Sequence, residues 1–149
     1  PMSLTVQKAE STALPVMAVL HETGFEEPWD TAALAKLLAM PGAFALLALE
    51  GEAPCGFILM RCAADEAEVL TIATRPESRG KGAGRLLLDA AMRQAAAAGA
   101  ARFFLEVAEN NAPARALYEK AGFVVTGKRP GYYRQKDGAV TALVMSLER

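Results

Sequence analysis

Histidine is almost missing from this chain: His21 is the only one among 149 residues. A Ser–His or Cys–His nucleophile would have to be built on it, and nothing local to it suggests one. Cysteine is nearly as scarce. Cys55 and Cys62 fall in one predicted strand, where seven residues span roughly 23 Å, far beyond disulfide reach. Reduced thiols follow from that separation. One histidine and two distant cysteines make no recognisable ligand set, so no metal is expected. An excess of charge is lacking too, the formal net charge being −1. Nucleic-acid-binding domains usually carry a basic excess, so no nucleic acid is expected as a partner. No apolar run is long and uninterrupted enough to span a bilayer, and PMSLTVQKAES lacks the regions of a secretory leader. The expectation is a cytoplasmic protein that makes no membrane contact. Pro1 ahead of Met2 reads as a leftover of a cloned tag and is set aside.

What is present is a well-patterned globular chain, 52% hydrophobic and 22% charged. Its length suits one domain, residues 2–149, with a sizeable core. LTVQKA (4–9) reads as a first strand and Thr12 to Glu22 as a helix. Asp30 is placed to N-cap a second helix, TAALAKLLAM, with Trp29 and Leu34 as its hydrophobic staple. Three strands follow, AFALLALE, CGFILMRCA and EVLTIAT, separated by EGEAP and AADEA. A helix opened by the glycine-rich stretch that follows EVLTIAT runs to about Ala98 and ends at Gly99, with Arg85, Asp89 and Arg93 stepping along its wet face. Then come the strand RFFLEVA and the helix PARALYEKA, with Asn111 as cap and Gly122 past its end. FVVTGKR and AVTALVMSL close the chain as a strand pair across Asp137-Gly138. The predicted order is β α α β β β α β α β β: a mixed α/β sheet of about seven strands with four helices.

The chemistry is concentrated in RPESRGKGAGRLLL, residues 75–88. Glycines at 80, 82 and 84 let backbone N–H groups approach an anion without Cβ obstruction. Arg79, Lys81 and Arg85 add positive charge where the helix dipole is already positive. Cations there disfavour the helix, so a phosphate site explains them better than a turn does. A dinucleotide fingerprint is excluded, because the third required glycine is Arg85; a Walker A loop is excluded, because Gly80-Lys81 is followed by Gly82.

Strand alternation places Phe103, Leu105 and Val107 on one face and Phe104, Glu106 and Ala108 on the other. A carboxylate among such neighbours is partly desolvated, which favours its use as a base. An ordinary glutamate on a half-exposed strand fits the same pattern. Tyr118, at helical spacing from Ala114, Leu117 and Ala121, reads either as core packing or as an acid, and Asn111 as a simple cap. Gly131-Tyr132-Tyr133-Arg134 reads as a hairpin or substrate-lining loop, or as a platform for stacking a base.

Taken together, EVLTIATRPESRGKGAGRLLL and FFLEVAENNAPARALYEKAGF resemble the GCN5-related N-acetyltransferase (GNAT) superfamily. The first block carries its Arg/Gln-x-x-Gly-x-Gly/Ala motif as Arg79, Gly82 and Gly84. The second carries its Asn…Ala-x-x-Leu-Tyr-x-x-x-Gly-Phe motif as Asn111, Ala114, Leu117, Tyr118, Gly122 and Phe123. Within the superfamily the chain is most similar to ribosomal-protein-alanine N-acetyltransferases, through Pro28-Trp29, Leu105-Glu106-Val107, Leu117-Tyr118-Glu119 and Tyr132-Tyr133. The residue before Ala-x-x-Met of the final strand, often acidic in members, is Thr141 here.

The resemblance implies acetyl-CoA as co-substrate, with its pyrophosphate on Arg79, Gly80, Lys81, Gly82, Ala83, Gly84 and Arg85. It implies pantetheine bonds to Ile72, Ala73 and Thr74, and splayed fourth and fifth strands with the thioester between them. Glu106 becomes the general base, probing the amine through water; Tyr118 the acid for the CoA thiolate; Asn111 a contact to cofactor or water. The implied reaction is direct attack of an amine, on a protein N-terminus or on a small molecule; a non-catalytic acyl-CoA-binding domain is the remaining alternative. At pH 7.4 exposing a neutral α-amine costs about 1 kcal/mol and a neutral lysine amine about 4. One carboxylate base suits the former.

Overall fold

The computed structural model describes residues 3–25, 27–135 and 138–149. Its elements are β1 (Leu4–Lys8), α1 (Leu14–Glu22), α2 (Thr31–Leu38), β2 (Ala43–Glu50), β3 (Ala53–Ala63) and β4 (Glu66–Thr74). They continue with α3 (Ala83–Ala97), β5 (Arg102–Ala108), α4 (Ala112–Lys120), β6 (Val124–Gln135) and β7 (Gly138–Glu148). The seven strands form one sheet in the order β1-β2-β3-β4-β5-β7-β6. Only β4 and β5 run parallel; every other neighbouring pair is antiparallel. The mixed α/β order expected from the sequence is the one observed.

Helices cover both faces of the sheet, and the central strands are therefore apolar on both sides. In β3, Ile58 and Met60 join Leu87, Leu88, Ala91 and Met92 of α3, with Phe103 and Leu105 of β5, in one buried cluster. The alternate residues Phe57 and Leu59 join Met17 and Leu20 of α1 and Leu34 of α2 in the other. All of these side chains are 5% exposed or less. At about 1.5–3 kcal/mol for each fully buried large apolar side chain, these two layers supply the main drive to fold.

Local signals account for most element ends. The Asp30 carboxylate accepts the Ala33 amide at 2.9 Å and starts α2. Trp29 packs into the same cluster as Leu34, as the staple requires. The first helix begins later than expected: Ser11–Ala13 form a separate 3-10 turn and α1 starts at Leu14. Pro15 explains the division, since it is tolerated only in the first turn of a helix. Both cysteines lie free in β3, as expected.

The last hairpin is longer than the sequence suggested. The expected strand FVVTGKR ends at Arg129, yet β6 runs on to Gln135, and the register with β7 shifts between Arg129 and Tyr133. As β6 is an edge strand, a bulge absorbs Pro130 without a ladder bond being lost to a neighbour. Tyr132 and Tyr133 therefore sit in a strand, not in a hairpin loop. Asp137, expected in the turn, lies outside the described residues.

At Gly42 the turn into β2 admits no side chain. Its φ is +81°, and a Cβ would lie 1.9 Å from the Cys62 carbonyl oxygen. The Cys62 amide donates to the Gly42 oxygen at 2.9 Å. Gly42→Ala combines left-handed strain with a displaced β3 backbone, so a loss of about 2–3 kcal/mol is expected in urea denaturation.

Candidate active site

The site begins where two strands stop pairing. β4 and β5 are joined from Glu66/Arg102 to Val69/Leu105 and no further, so Leu70–Thr74 have no β5 partner. In the same place the β3–β4 register slips: Leu59 faces Thr71 and Met60 faces Val69, which leaves Leu70 as a bulge. The bulge re-aims the strand. Val69 packs in the α3-side cluster, whereas Ala73 packs on the α1–α2 side. Unpaired backbone N–H and C=O groups along the separated stretch are available to an extended ligand.

That gap opens into a cleft of about 560 Å³. Ile72, Ala73, Thr74, Arg79, Gly80, Gly82, Ala83, Gly84, Arg85 and Asn111 all line it, as the sequence suggested. Phe25, Pro113 and Lys120 line it as well and were not foreseen. Gly82 is the residue before α3, with φ +90° and no side-chain cap on the helix. A Cβ built at Gly80 or Gly82 meets nothing within 4 Å, so the space above the helix start is open. Free N–H groups at that helix start, together with open space, fit phosphate oxygens. Gly84 has another role, since its Cβ position is 3.4 Å from Leu117 and sets the approach of α4.

Each loop cation has a protein partner. Arg79 donates to the Thr23 carbonyl at 3.4 Å, and Arg85 pairs with Asp89 at 3.0 Å. Lys81 reaches Glu50 at 3.1 Å and is not part of the cleft wall. Without a ligand, the Lys81 ammonium expected at the phosphates is directed to Glu50. Glu50 also accepts from Arg75 at 2.9 Å and from the Ser78 hydroxyl at 3.0 Å. The Lys81, Arg75 and Ser78 hydrogen bonds hold its carboxyl down to about 2. Asn111 caps α4 by accepting the Ala114 amide at 3.3 Å while facing the cleft, so its two readings are compatible.

Glu106 follows Leu105, the last residue of β5 paired with β4, on the sheet face away from α3. Its side chain is 20% exposed and its Oε1 lies 3.1 Å from Arg129 Nη2. Desolvation was expected; the guanidinium was not. Burial and then Glu106 push the Glu68 carboxyl up. Burial and then Glu106 also push the Tyr133 phenol, up to about 12. Glu68, Glu106, Arg129 and Tyr133 therefore form one electrostatic group, drawn from β4, β5 and β6. Tyr118 of α4 is 5% exposed, and burial, then Tyr133, push its phenol up. Its hydroxyl makes no side-chain hydrogen bond among the described residues.

His21 is 1% exposed. The Trp29 amide donates to Nδ1 at 3.0 Å, which leaves the proton on Nε2, 3.1 Å from Thr71 Oγ1. Burial lowers its pKa to about 4. The ring is a neutral buried strut, consistent with the absence of any nucleophile motif around it.

This fold and cleft define a CoA-dependent acyltransferase. The chain matches the model of the Acetyltransferase (GNAT) family over residues 14–123 and belongs to that family. It is an N-acetyltransferase that draws its acetyl group from acetyl-CoA. It is 31% identical over 143 residues to the [ribosomal protein bS18]-alanine N-acetyltransferase of Escherichia coli (strain K12), covering 96% of each chain. A putative enzyme of the same name from Bacillus subtilis (strain 168) is 32% identical over 127 residues, covering 85% of this chain and 83% of that one. The crystal structure of the Escherichia coli ribosomal-protein-S18-alanine N-acetyltransferase superposes with a TM-score of 0.92 at 29% identity, covering 98% and 94%. Ard1 from Thermoplasma volcanium shares the fold, with a TM-score of 0.87 at 24% identity and 97% of each chain covered.

Two outcomes follow from this geometry. Gly82→Asp puts a carboxylate in the open space above α3 without a steric clash, and acetyl-CoA affinity should fall tenfold or more by titration calorimetry. Gly82→Ala, which shares the backbone strain but not the charge, should lose less. For His21, the unfolded chain binds a proton near pH 6.5 and the folded one near pH 4. The unfolded state therefore holds more protons in that window, so stability is complete above pH 6.5 and falls as pH is lowered towards 4. The loss is on the order of 3 kcal/mol. Urea melts between pH 7 and 4.5 should show it in the wild type, and His21→Gln should lack that slope.

Proposed function

We propose that this N-acetyltransferase acts on a protein N-terminal α-amine, of the ribosomal-protein-alanine type, with residues 2–149 as its catalytic domain. Identity to the Escherichia coli enzyme across 96% of both chains supports that acceptor. An acceptor of that kind places the enzyme's work in the cytoplasm. Glu106 on β5, next to the point where β4 and β5 part, supports a role as base; Tyr118, which packs in the core beside Tyr133 and does not line the cleft, is carried as the acid by the resemblance.

Ile72, Ala73 and Thr74 take backbone bonds from the pantetheine arm of acetyl-CoA. Arg79, Gly80, Gly82, Ala83, Gly84 and Arg85 receive the pyrophosphate, while Lys81 steadies the loop through Glu50. Asn111 contacts the cofactor or orients the water nearby. The thioester carbonyl then sits in the gap. Glu106, acting through a water, takes a proton from the acceptor ammonium, and the neutral nitrogen attacks the thioester carbon. The C–S bond breaks, the Tyr118 hydroxyl gives its proton to the departing thiolate, and the nitrogen sheds its second proton, which returns through water to the Tyr118 phenolate as the amide forms. Burial keeps that phenol protonated, so a proton is present whenever the thiolate leaves. Arg129 Nη2, 3.1 Å from Oε1, holds the Glu106 carboxylate in place.

Intact-mass spectrometry tests the acceptor, using a peptide with a free N-terminal alanine and an internal lysine. A single acetyl on the α-amine is expected. No acetyl on the peptide, with acetyl-CoA still bound, would turn the assignment to small amines or to a binding domain. For the roles, Glu106→Gln should lower kcat by about 10²–10⁴-fold and Tyr118→Phe by about 10²-fold. Acetyl-CoA affinity should stay within a few-fold in both. Undiminished turnover in the two variants would sink the assignment.

A further inference from the structure

Glu68 is a carboxylate that the mechanism above leaves idle, and it stands next to the base. β4 pairs with β5 at Glu68/Phe104 and Val69/Leu105, and the two strands then part. Val69, Leu105 and Val107 turn into the α3-side cluster, so Glu68 and Glu106 both emerge on the opposite face. Parallel strands about 4.8 Å apart, rising about 3.3 Å per residue, set Cα atoms offset by two residues roughly 8 Å apart. That is within reach of two glutamate side chains. The carboxylates thus flank the point where the sheet opens.

Unlike Glu106, Glu68 is not held. Met60 joins the α3-side cluster, so Arg61, the Cα partner of Glu68 on β3, shares its face. The Arg61 Nε donates to the Pro41 carbonyl at 3.1 Å, and Arg129 of β6 is committed to Glu106. β7 places Val144 and Ala142, which carry no charge, beside Glu106 and Ala108. Glu68 is left without a hydrogen bond or an ion pair among the described residues. It is half-buried, and burial first, then Glu106, push its carboxyl up, while Arg61 and Arg129 act at longer range in the other direction. A half-buried carboxylate with no cation on it, beside a second carboxylate, is a place for a cation or a proton that arrives from outside.

We propose that Glu68 and Glu106 act on the acceptor as a pair: the ammonium is bound between the two carboxylates, and the proton that Glu106 removes passes to Glu68 and from there to solvent. The inference rests on the reading of Glu106 as the base. One proton leaves the ammonium in this step and ends in bulk water. The second leaves as the amide forms, by way of Tyr118, so the products are the amide and the CoA thiol. Two neighbouring carboxylates titrate as a unit and hold one shared proton more readily than an isolated carboxylate does. The pair can therefore receive a proton in a chain whose one histidine is a buried strut.

Steady-state kinetics with an alanine-initiated peptide between roughly pH 5 and 8, below the α-amine's own titration, test the pair. Glu68→Gln keeps the shape and removes one of two like charges, so its melting temperature should not fall. Its kcat/KM for the peptide should drop tenfold or more, with acetyl-CoA affinity by titration within threefold of wild type. The acidic limb of its profile should become shallower and move to lower pH, which loss of a merely structural residue would not cause. The wild-type protein with acetyl-CoA gives a reading that needs no variant. A peptide that starts with N,N-dimethylalanine carries the cation but cannot end as an amide. As pH falls and both carboxylates take protons, its log Kd should rise with a limiting slope of about two. A slope of one overturns the proposal, and so does a wild-type kcat/KM and acidic limb in Glu68→Gln. Glu106→Gln run alongside separates the failures. If it retains full kcat, the reading of the site is wrong and the pair falls with it; if it loses kcat while Glu68→Gln behaves as wild type, only the Glu68 inference falls.

Discussion

The unfinished ladder between β4 and β5 is the feature on which the rest of the molecule turns. A parallel pair held by four register positions and then released leaves strand backbone in the middle of a sheet without a partner. Unpaired backbone groups are tolerated only where water or a ligand can satisfy them. The protein keeps the opening from closing in two ways. The bulge at Leu70 changes the direction of β4, and β5 is committed to β7 along its whole length, from Arg102/Glu148 to Ala108/Ala142. An extended arm carrying amides, such as pantetheine, can take the place of the missing strand. On the proposed reading the thioester would then lie near Glu106 of β5 and the β6 residues Arg129 and Tyr133 grouped with it.

A second device steadies the entrance. The start of α3 gathers positive charge from Arg79, Lys81 and Arg85 on top of the helix dipole, an arrangement that opposes helix formation. Glu50 relieves part of it by holding Arg75, Lys81 and Ser78 together, which pins the base of the loop to the end of β2. Arg85 is offset by Asp89 one turn along. Arg79 is the least committed, with a single carbonyl partner at 3.4 Å. Charge is thus neutralised where it serves the fold and left available where a pyrophosphate would lie. Since an exposed ion pair contributes little, the value of these contacts lies in geometry more than in stability.

Residues whose roles depend on near neighbours in the chain were legible in the sequence. The glycine spacing at 80, 82 and 84, the alternation about Glu106, the Asn111 cap and the Asp30 cap are all written within a few residues. The strand order and the mixed sheet followed from the same local patterns. What the sequence hid depends on register. Glu68 alternates unremarkably in EAEVL, and only pairing with β5 brings it near Glu106. Arg129 lay in a stretch read as an ordinary strand, and the shift that carries β6 past Pro130 is what accompanies its pairing with Glu106. Lys81 was read from its loop alone, and the competing carboxylate lay 31 residues away. His21 looked inert because its two partners are 8 and 50 residues distant.

The near absence of histidine finally bears on the acceptor. With its single imidazole buried as a strut, the proposed site would use a carboxylate as its base and a phenol as its acid. At neutral pH such a base is well matched to an amine that costs about 1 kcal/mol to deprotonate, and poorly matched to one that costs about 4. The extra 3 kcal/mol would lower turnover by about two orders of magnitude unless the site supplied a separate means of stripping a lysine ammonium. The described residues near Glu106 are Arg129, Tyr133, whose phenol is pushed up to about 12, and Glu68, a second carboxyl that burial and Glu106 push up and the only further proton acceptor of the three. On the proposed reading an α-amine is thus the easier acceptor by basicity, and Glu68 is the neighbour that would narrow that preference.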